Sequence, residues 1–532
     1  MTTRPSPYAK LPRVFNAATH FVDRHVLEGR GSRVALICED REVTYTEVQA
    51  NVDRCGHALR RLGVRMEDRV ALLLLDSPEF VYSFWGAIKI GAVPVPVNTL
   101  LRPRDYEYPL NDSRAKTVIV SEALAGAIEE IRPRLRFLEH VVVAGRAVAP
   151  QQIAFDTLIA GERAELTPAE TTKDDAAFWL YTSGTTGVPK AAVHLQHDMV
   201  VCCEALGQHV LGIGEHDRCF SVAKLFFAYG LGNALYYPFY VGASSVLHPG
   251  RFEPARVFEI IARHRPTLFF AVPTAYAALL QLSDATRLYD LRSLRFCLSA
   301  GEPLPPVLYE RWRERFGVEI LDGIGSTEMC NTFIANRPGQ VRPGSSGVIV
   351  PGYEARIVDD DDHSLPDDAV GNLMVKGDSA CAYYWNQHER TKATILGDWV
   401  RTGDKYSRDG DGYFWYAGRS DDMLKVSGMW VSPTEIENAL LEHEAVREAA
   451  VVGTADADQL TKPLAFVVPS ASSAPGLALE QEIQEFVKAK LAPYKYPRWV
   501  VFVPELPKTA TGKIQRYKLR DMALRLGRGV SG

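Results

Sequence analysis

The sequence predicts an α/β fold with two domains, a large N-terminal domain of layered sheets and helices and a small, mobile α+β C-terminal domain. The chain has 532 residues, which is more than one hydrophobic core usually supports, so at least two domains are expected. Residues 69–97 alternate between strand and helix patterns, as in folds with a largely parallel sheet. Residues 449–491 carry two short apolar runs and then a helical pattern, which indicates a separate small unit.

The first of these patterns has identifiable element boundaries. Residues 69–75 (RVALLLL) form an apolar run that predicts a buried strand. Residues 77–79 (SPE) offer an N-cap, a proline at the first helical position and an early acid, and so predict a helix that extends to about residue 90. Residues 91–97 predict the next strand, and the apolar residues 176–180 predict a further strand of the same parallel arrangement.

The C-terminal pattern is shorter and differs in type. Residues 449–452 and 464–468 are apolar runs of strand length. Residues 470–476 (SASSAPG) predict an exposed loop. Apolar residues then recur at helical spacing over 483–491 and predict a helix.

Composition limits the class of protein. The chain has 60 Lys and Arg against 65 Asp and Glu, a net charge of −5, and so offers no basic footprint for nucleic acid. Its eight cysteines form no CxxC pair, which favours a reducing compartment. The first residues lack the apolar core of a signal peptide, and the apolar runs are too short to span a bilayer. We therefore expect a soluble cytoplasmic monomer or homodimer that binds small molecules rather than nucleic acid or membranes.

Residues 181–190 (YTSGTTGVPK) combine hydroxyls, glycines and one lysine directly after an apolar run. Glycines let backbone N–H groups turn toward an anion, while hydroxyls add donors and a lysine adds charge, so the run predicts a phosphate-binding loop. Its spacing is not that of a Walker A loop, which has four residues between its glycines. The alternative is a flexible surface turn. The predicted ATP-binding residues of this loop are Thr182, Ser183, Gly184, Thr185, Thr186, Gly187 and Lys190.

The same run resembles the phosphate loop of the adenylate-forming superfamily, which comprises acyl-CoA and aryl-CoA synthetases, luciferases and the adenylation domains of peptide synthetases. Four further blocks follow in that family's order, namely 323–328 (GIGSTE), 401–404 (RTGD), 418–428 (GRSDDMLKVSG) and 507–514 (PKTATGKI). The resemblance extends from about residue 40 to residue 520. It implies a large domain over residues 1–420 that binds ATP and the acyl group, and a small domain over residues 421–532.

Each block of the resemblance implies a role in activating a carboxylate with ATP. Thr327 is similar to the residue that contacts the α-phosphate, and Glu328 to the carboxylate that binds Mg²⁺. Asp404 matches the acid that accepts hydrogen bonds from both ribose hydroxyls, and Arg419 would add charge nearby. Lys513 resembles the lysine that reaches the substrate carboxylate and the phosphate during adenylation. The alternatives are a solvated glutamate for Glu328, an ordinary β-turn for the segment that contains Asp404, and a surface lysine for Lys513.

Two positions are implied for the second, CoA-dependent step. Asp421 matches the family's hinge residue, at which the small domain rotates between adenylation and thioester formation. Gly428 matches the glycine beside the pantetheine tunnel, although a simple turn glycine is the alternative. The chain departs from relatives at Trp430, where acetyl-CoA synthetases carry an arginine, and at Ala191, where a glycine is common. His197 matches a histidine downstream of the phosphate loop, for which we expect a structural role.

The substrate is indicated by residues 224–233 (KLFFAYGLGN), which align with the block that walls the acyl site. The segment is aromatic and lacks the aspartate that pairs with an amino acid substrate in peptide synthetases. It resembles benzoate-CoA ligases and could form a flat apolar slot for a ring. Residues 329–333 (MCNTF) depart from the Leu-His-Ile that those ligases tend to carry, which leaves the ring substituent and even aromaticity open. The predicted acyl pocket consists of Phe227, Ala228, Tyr229, Gly230, Val272, Ala300, Ile324, Gly325 and Ile334.

The resemblance thus implies an ATP-dependent ligase that joins benzoate or a substituted benzoate to coenzyme A. An acyl-adenylate would be the intermediate, AMP and pyrophosphate the products, and Mg²⁺ a requirement. One alternative is an acyl-CoA synthetase for alicyclic, phenylalkanoic or medium-chain acids. A second is an adenylating enzyme with an acceptor other than CoA. A non-enzymatic nucleotide-binding protein is a third, against which the presence of Lys190, Glu328, Asp404 and Lys513 argues.

Overall fold

The computed structural model describes residues 7–147, 149–182, 189–419, 422–426, 429–456, 460–471, 473–491, 495–508 and 513–526. The fold has the predicted class, a mixed α/β structure with a large N-terminal domain and a small C-terminal domain. Within the described ranges, no helix is long and apolar enough to cross a membrane.

The first part of the large domain contains a parallel sheet flanked by helices. Its elements are α1 (Arg24–Leu27), β1 (Val34–Cys38), β2 (Arg41–Thr44), α2 (Tyr45–Arg61), β3 (Arg69–Leu73), α3 (Pro78–Lys89), β4 (Val93–Pro96), α4 (Glu107–Asp112), β5 (Thr117–Ser121), α5 (Glu122–Ile131), β6 (His140–Ala144), β7 (Gln152–Ala154), α6 (Phe155–Ala160), β8 (Ala176–Thr182) and β9 (Lys190–Leu195). Strands β4, β3, β5, β6 and β7 form one five-stranded sheet in which all neighbours are parallel.

The second part of the large domain extends a second, larger sheet. Its elements are α7 (Asp198–Cys202), β10 (Arg218–Ser221), α8 (Ala228–Leu231), α9 (Tyr237–Val241), β11 (Ser244–Leu247), α10 (Pro254–His264), β12 (Leu268–Ala271), α11 (Pro273–Leu280), α12 (Ala285–Leu288), β13 (Phe296–Ser299), α13 (Pro306–Phe316), β14 (Ile320–Gly325), β15 (Thr332–Ala335), β16 (Ser345–Ile349), β17 (Glu354–Val358), β18 (Gly371–Lys376), β19 (Tyr383–Tyr384), α14 (His388–Thr394), β20 (Ile395–Leu396), β21 (Trp399–Arg408) and β22 (Phe414–Arg419). Strands β1, β11, β10, β12, β13 and β14 run parallel to one another in this order, and β2 pairs in antiparallel fashion with β1. Beyond β14, the sheet continues in antiparallel fashion through β15, β16, β22, β21, β18 and β17.

The small domain is built from β23 (Leu424–Val426), β24 (Met429–Val431), α15 (Pro433–Leu441), β25 (Val446–Ala455), β26 (Thr461–Pro469), α16 (Leu477–Lys490), β27 (Trp499–Phe502) and α17 (Arg516–Arg525). Strands β25 and β26 are antiparallel, and β27 lies parallel to β26. Helices α15 and α16 bury apolar side chains on one face of this sheet, while α17 buries Leu519 and Ala523 on the other. This confirms the predicted α+β unit.

The predicted β3, α3 and β4 unit is present with small differences. The strand ends at Leu73 rather than at residue 75, and β4 pairs with it in parallel. Proline 78 is the first helical residue, as expected, but the Ser77 side chain makes no capping hydrogen bond. Helix α3 is almost entirely buried, so packing rather than a cap stabilises it.

The predicted direction of the strand that precedes the phosphate loop is wrong. Strand β8 is not part of a parallel sheet, because it pairs in antiparallel fashion with β9, which in turn pairs with β19. The predicted loop therefore connects two strands of a hairpin. Direction depends on which partner strand is available in the folded chain, and the local pattern of apolar residues carries no such information.

Candidate active site

Four neighbouring parallel strands end at the same edge of the large sheet. These strands are β10, β12, β13 and β14. Ligands of open α/β sheets bind beyond the carboxyl ends of the strands, because the loops that follow these ends lie side by side. Most of the predicted acyl residues, together with Thr327 and Glu328, lie at or just after these strand ends, and so the sheet brings distant parts of the sequence to one place.

The predicted acyl residues are distributed over all four of these loops. After β10, helix α8 begins with Phe227 as its N-cap and includes Ala228, Tyr229 and Gly230. Val272 follows β12 and Ala300 follows β13. Strand β14 ends with Ile324 and Gly325, and Ile324 pairs with Ile334 of β15. The Tyr229 ring lies 6.4 Å from that of Phe270 in an edge-on arrangement. At Gly230, a methyl group would lie 2.1 Å from the carbonyl oxygen of Lys224, so this position accepts only glycine.

The phosphate-loop lysine lies beside the carboxylate predicted to bind Mg²⁺. Thr182 and Lys190 are cross-strand partners at the end of the β8–β9 hairpin, and residues 183–188, which include Ser183, Gly184, Thr185, Thr186 and Gly187, fall outside the described ranges. Lys190 Nζ lies 3.6 Å from Glu328 Oε1. It also donates a 3.0 Å hydrogen bond to the hydroxyl of Tyr384, whose ring centre lies 4.3 Å away.

Tyr384 completes this cluster and was missed by sequence reasoning. Its hydroxyl donates a 2.5 Å hydrogen bond to Glu328 Oε1. Burial raises the pKa of Tyr384, and the Glu328 carboxylate raises it further, so the phenol stays protonated and donates. Tyr384 stands 56 residues from Glu328, and no local signal in the sequence marks it.

The environment keeps Glu328 ionised. Burial raises its pKa, but the charge of Lys190 and hydrogen bonds from Tyr384, its own backbone and Ser326 lower it by more, so the net pKa lies below the usual value. An ionised carboxylate suits Mg²⁺, which is commonly held by one or two carboxylates together with substrate phosphates. Glu328 therefore fits the role of a single protein ligand for a nucleotide-bound Mg²⁺.

The backbone of Thr327 is fixed by a buried histidine. Nε2–H of His194 donates a 2.7 Å hydrogen bond to the Thr327 carbonyl oxygen, and its Nδ1 lies 2.7 Å from Asp198 Oδ2. Both side chains are fully buried. His197, for which we expected a structural role, contacts the backbone oxygens of Lys173 and Asp378 at 2.7 and 2.9 Å, as such a role requires. The histidine that holds the site is thus His194.

Asp404 and Arg419 are direct cross-strand partners on β21 and β22. Arg419 Nη1 donates a 3.0 Å hydrogen bond to Asp404 Oδ1. Gly403 has φ 77°, a left-handed conformation that favours glycine, and a methyl group there would lie 2.8 Å from Arg419 Nη2 and so displace the guanidinium. Burial raises the pKa of Asp404, and the charges of Arg419 and Lys513 partly offset that rise.

Lys513 reaches the large domain from the small one. It is exposed and directly precedes Ile514, which forms an isolated bridge with Lys508 two residues before α17 begins. A methyl group built on Gly301 would lie 3.8 Å from Lys513 Cε. Gly301 follows the predicted acyl residue Ala300, so the lysine lies at the edge of the acyl site.

Glu302, which follows Gly301, was also missed by sequence reasoning. Its Oε1 is buried and has no hydrogen-bond partner among the described residues. Burial raises its pKa to about 7, against the lowering effects of Lys513, Lys508 and Arg516. A half-buried acid therefore faces the cationic loop of the small domain. Asp421 and Gly428, the predicted hinge and tunnel residues, lie outside the described ranges.

Comparison with protein families and solved structures gives consistent matches. The family model described as "AMP-binding enzyme" matches residues 23–385, and that described as "AMP-binding enzyme C-terminal domain" matches residues 435–513. The benzoate–CoA ligase of Thauera aromatica is 49% identical over 97% of each chain. A 4-hydroxybenzoate–CoA/benzoate–CoA ligase of Rhodopseudomonas palustris is 48% identical over 96% of this chain and 95% of its own.

Two solved structures match almost the whole chain. A crystal structure of an anthranilate CoA ligase in complex with anthranoyl-AMP has a TM-score of 0.94 and 46% identity, and the match covers 98% of this chain and 99% of that one. A benzoate CoA ligase from Burkholderia xenovorans has a TM-score of 0.88 and 45% identity, with 95% and 100% covered.

Proposed function

Because the chain belongs to the AMP-binding enzyme family, we propose that it is an AMP-forming ligase that joins benzoate or a substituted benzoate to coenzyme A. The family resemblance predicted from five sequence blocks is confirmed by the family models and the relatives. The reaction uses ATP and Mg²⁺, proceeds through an acyl-adenylate, and releases pyrophosphate and AMP.

One observation carries this proposal. Lys513 lies beside Gly301 at the edge of the acyl site, and its charge acts on the buried carboxylate of Asp404. This placement of Lys513 supports a site in which the proposed carboxylate-binding, ribose-binding and acyl-binding groups lie close together. Such an arrangement suits an attack of the acid on the α-phosphate, because the developing negative charge meets a preorganised cation.

The roles of the site residues follow from their chemistry. Asp404 offers two acceptor oxygens to the ribose diol, and Thr327 offers its hydroxyl to the α-phosphate. Lys190 and the hairpin loop contact the outer phosphates. Glu328 would hold Mg²⁺, which when bound neutralises charge on the triphosphate. Lys513 binds the substrate carboxylate and the α-phosphate together and so brings the two reactants into line.

The two steps balance without any further reagent. In the first, a carboxylate oxygen attacks the α-phosphorus, and the bond between that phosphorus and the bridging oxygen breaks, which releases pyrophosphate. In the second, the CoA thiol gives its proton to solvent and its sulfur attacks the acyl carbon. The bond between that carbon and the phosphate oxygen breaks, and AMP leaves with the bonding electron pair. The small domain, residues 421–532, would rotate at Asp421 between the steps and present Gly428 beside the pantetheine.

Two observations support an aromatic acid as substrate. The wall of the acyl site is aromatic and lacks a carboxylate, and other predicted acyl residues, such as Val272 and Ile334, are apolar. The relatives that are more than 40% identical are described as benzoate, 4-hydroxybenzoate/benzoate or anthranilate CoA ligases.

As part of the same proposal, we place the enzyme in the cytoplasm, because its eight cysteines are free, as is usual in a reducing compartment. We also propose that it is a monomer or homodimer. Size-exclusion chromatography with light scattering would measure the assembly.

The test is AMP release by the purified protein with ATP and Mg²⁺, with and without CoA. The acids are benzoate, hydroxy-, amino- and halobenzoates, cyclohexanecarboxylate, phenylacetate and octanoate. CoA-dependent turnover that is fastest on a benzoate supports the proposal and identifies the substituent. A preference for an alicyclic or alkyl acid would overturn the assignment of an aryl substrate. Turnover that does not depend on CoA would overturn the assignment of CoA as the acyl acceptor.

A further inference from the structure

A buried asparagine connects the magnesium-binding loop to the acyl site. Asn331 stands three residues after Glu328 and directly before β15, and only 3% of its surface is exposed. Its Nδ2 donates to the carbonyl oxygen of Ala228 at 3.0 Å and to the hydroxyl of Tyr236 at 3.1 Å. Ala228 is the first residue of α8. One side chain thus reaches from the Glu328 loop to the start of the acyl wall, residues 227–230.

The side-chain oxygen of Asn331 also makes hydrogen bonds within the protein. Its Oδ1 accepts hydrogen bonds from the backbone N–H of Thr332 at 2.8 Å and from the Thr332 hydroxyl at 3.0 Å. With its two donors and its acceptor engaged in the protein, the amide has no capacity left for a substrate. Any effect of Asn331 on the acid must therefore pass through the wall that it holds.

The surrounding backbone is shaped to admit this contact. A methyl group on Gly232 would lie 2.2 Å from Asn331 Nδ2 and 2.8 Å from the Tyr236 hydroxyl. Gly232 begins a π-helical segment, Gly232–Tyr236, that follows α8. Such insertions are frequent at functional sites. The hydroxyl of Tyr236 in turn donates to the carbonyl oxygen of Cys330 at 3.3 Å, which gives a second link between the same two segments.

We propose that Asn331 is a positioning residue for the acid substrate, because it fixes the acyl wall at a set distance from the Glu328 loop. This inference rests on the proposed aryl-CoA ligase function. Ala228 belongs to the wall and begins α8, so a displacement of its carbonyl would change the width of the slot between the wall and β14. The binding of a flat ring depends on that width, whereas the binding of ATP at Lys190, Glu328 and Asp404 does not.

The test compares N331D with wild type. Aspartate has the same shape and keeps the acceptor toward Thr332, but it replaces the donating NH₂ group by an oxygen that faces the Ala228 carbonyl. We expect the KM for benzoate to rise about tenfold, while the KM for ATP stays within about threefold of wild type. The kcat/KM ratio of benzoate over cyclohexanecarboxylate should also fall, because a displaced wall discriminates less well between flat and puckered rings.

Asn336 provides a matched control. It is equally buried, it lies at the other end of β15, and its Nδ2 donates to the backbone oxygens of Asp322 and Ser345 at 3.2 and 2.8 Å. Its Oδ1 accepts from Arg342 N. The N336D variant therefore suffers the same chemical change without contacting the wall. We expect it to lower the Tm as N331D does, and to leave the benzoate KM and the ring selectivity unchanged.

The outcomes separate the two proposals. If wild type turns over no aryl acid, the proposed function fails, and the positioning role of Asn331 fails with it. If wild type is active and N331D changes only the Tm, or shifts the KM for benzoate no more than N336D does, the positioning role is wrong. Equal rises in the KM for ATP and for benzoate would also overturn it, because the loop rather than the wall would have moved. Should N331D not fold, N331S removes the same donors and gives the same comparison.

Discussion

Glu328 and Lys513 serve the same proposed step but are held in opposite ways. Glu328 lies in the large domain and contacts Lys190 and Tyr384, which come from two other parts of the chain, and its backbone oxygen accepts from Cys381 N at 2.7 Å. Lys513 is exposed in a loop of the small domain, next to α17. The large domain thus fixes its group before substrate arrives, whereas in the proposed mechanism the small domain delivers its group by moving.

The difference has a physical reason. A carboxylate that holds Mg²⁺ gains from a rigid setting, because preorganised charge costs no reorganisation during the reaction. A lysine that must leave when the thiol arrives cannot be fixed in the same way, since rotation of the small domain would break every contact. The exposure of the Lys513 side chain is therefore compatible with its proposed function.

The largest expected effect is that of Lys513→Ala on the first step. Loss of one preorganised donor should slow benzoyl-adenylate formation by about 10²- to 10³-fold. Transfer from supplied benzoyl-adenylate to CoA should change by less than about threefold, since the rotated small domain presents another face. Single-turnover assays of the two half-reactions measure this. Equal losses in both steps would mean that Lys513 is not specific to adenylation.

Glu328→Gln should have the next largest effect. The variant keeps the shape and a hydrogen bond with Tyr384 but removes the charge that attracts Mg²⁺, so adenylation should slow by about 10²-fold. The concentration of Mg²⁺ that gives half-maximal rate should rise as well. A titration of Mg²⁺ at saturating ATP tests this, with Lys513→Ala as the control that leaves the Mg²⁺ dependence unchanged. An unaltered Mg²⁺ dependence in Glu328→Gln would exclude Glu328 as the ligand.

Tyr384→Phe tests the rigid setting itself and should have a smaller effect. The change removes a single hydrogen bond to Glu328 and one to Lys190, and keeps the ring that Lys190 overlies. We expect a loss of about three- to tenfold in adenylation, which corresponds to about 1 kcal/mol. Kinetics with ATP as the varied substrate would measure it. A loss as large as that of Glu328→Gln would make Tyr384 a catalytic group in its own right.

A last prediction concerns stability at acid pH, not activity, and contrasts a buried histidine of the large domain with the exposed lysine loop. Arg30 Nε donates to His25 Nδ1 at 3.0 Å, and His25 Nε2–H donates to the Phe239 carbonyl oxygen, so the ring is neutral. Burial is the main cause that lowers the pKa of His25 from 6.5 to about 4. The unfolded chain therefore binds the proton more readily, and stability that is complete above pH 6.5 falls as the pH drops toward 4.

A substitution at His25 isolates this contribution. His25→Gln offers a donor to Phe239 and an acceptor to Arg30 without titrating. It should reduce the loss of unfolding free energy between pH 7 and pH 4.5 by on the order of 2 kcal/mol. Thermal unfolding of both proteins at the two pH values measures the difference. An identical pH dependence in the variant would show that His25 does not contribute to acid sensitivity.

Much of the fold was predictable because it depends on neighbouring residues. The alternation of apolar runs over residues 69–97 specified β3, α3 and β4, and the pattern after residue 449 specified β25, β26 and α16. The direction of β8 was predicted wrongly. Its partner β9 lies beyond the phosphate loop, and only the folded chain determines that the two form a hairpin.

The sequence by itself determined the family, the order of the motifs and the chemical character of Lys190, Glu328, Asp404 and Lys513. Only the tertiary structure decided how these groups are held. The contacts that do so join residues far apart in the chain, 194 positions between Lys190 and Tyr384 and 103 between Ala228 and Asn331. A motif records which side chains a reaction needs, whereas partners such as Tyr384, His194 and Asn331 are chosen by packing between loops that meet at one edge of a sheet.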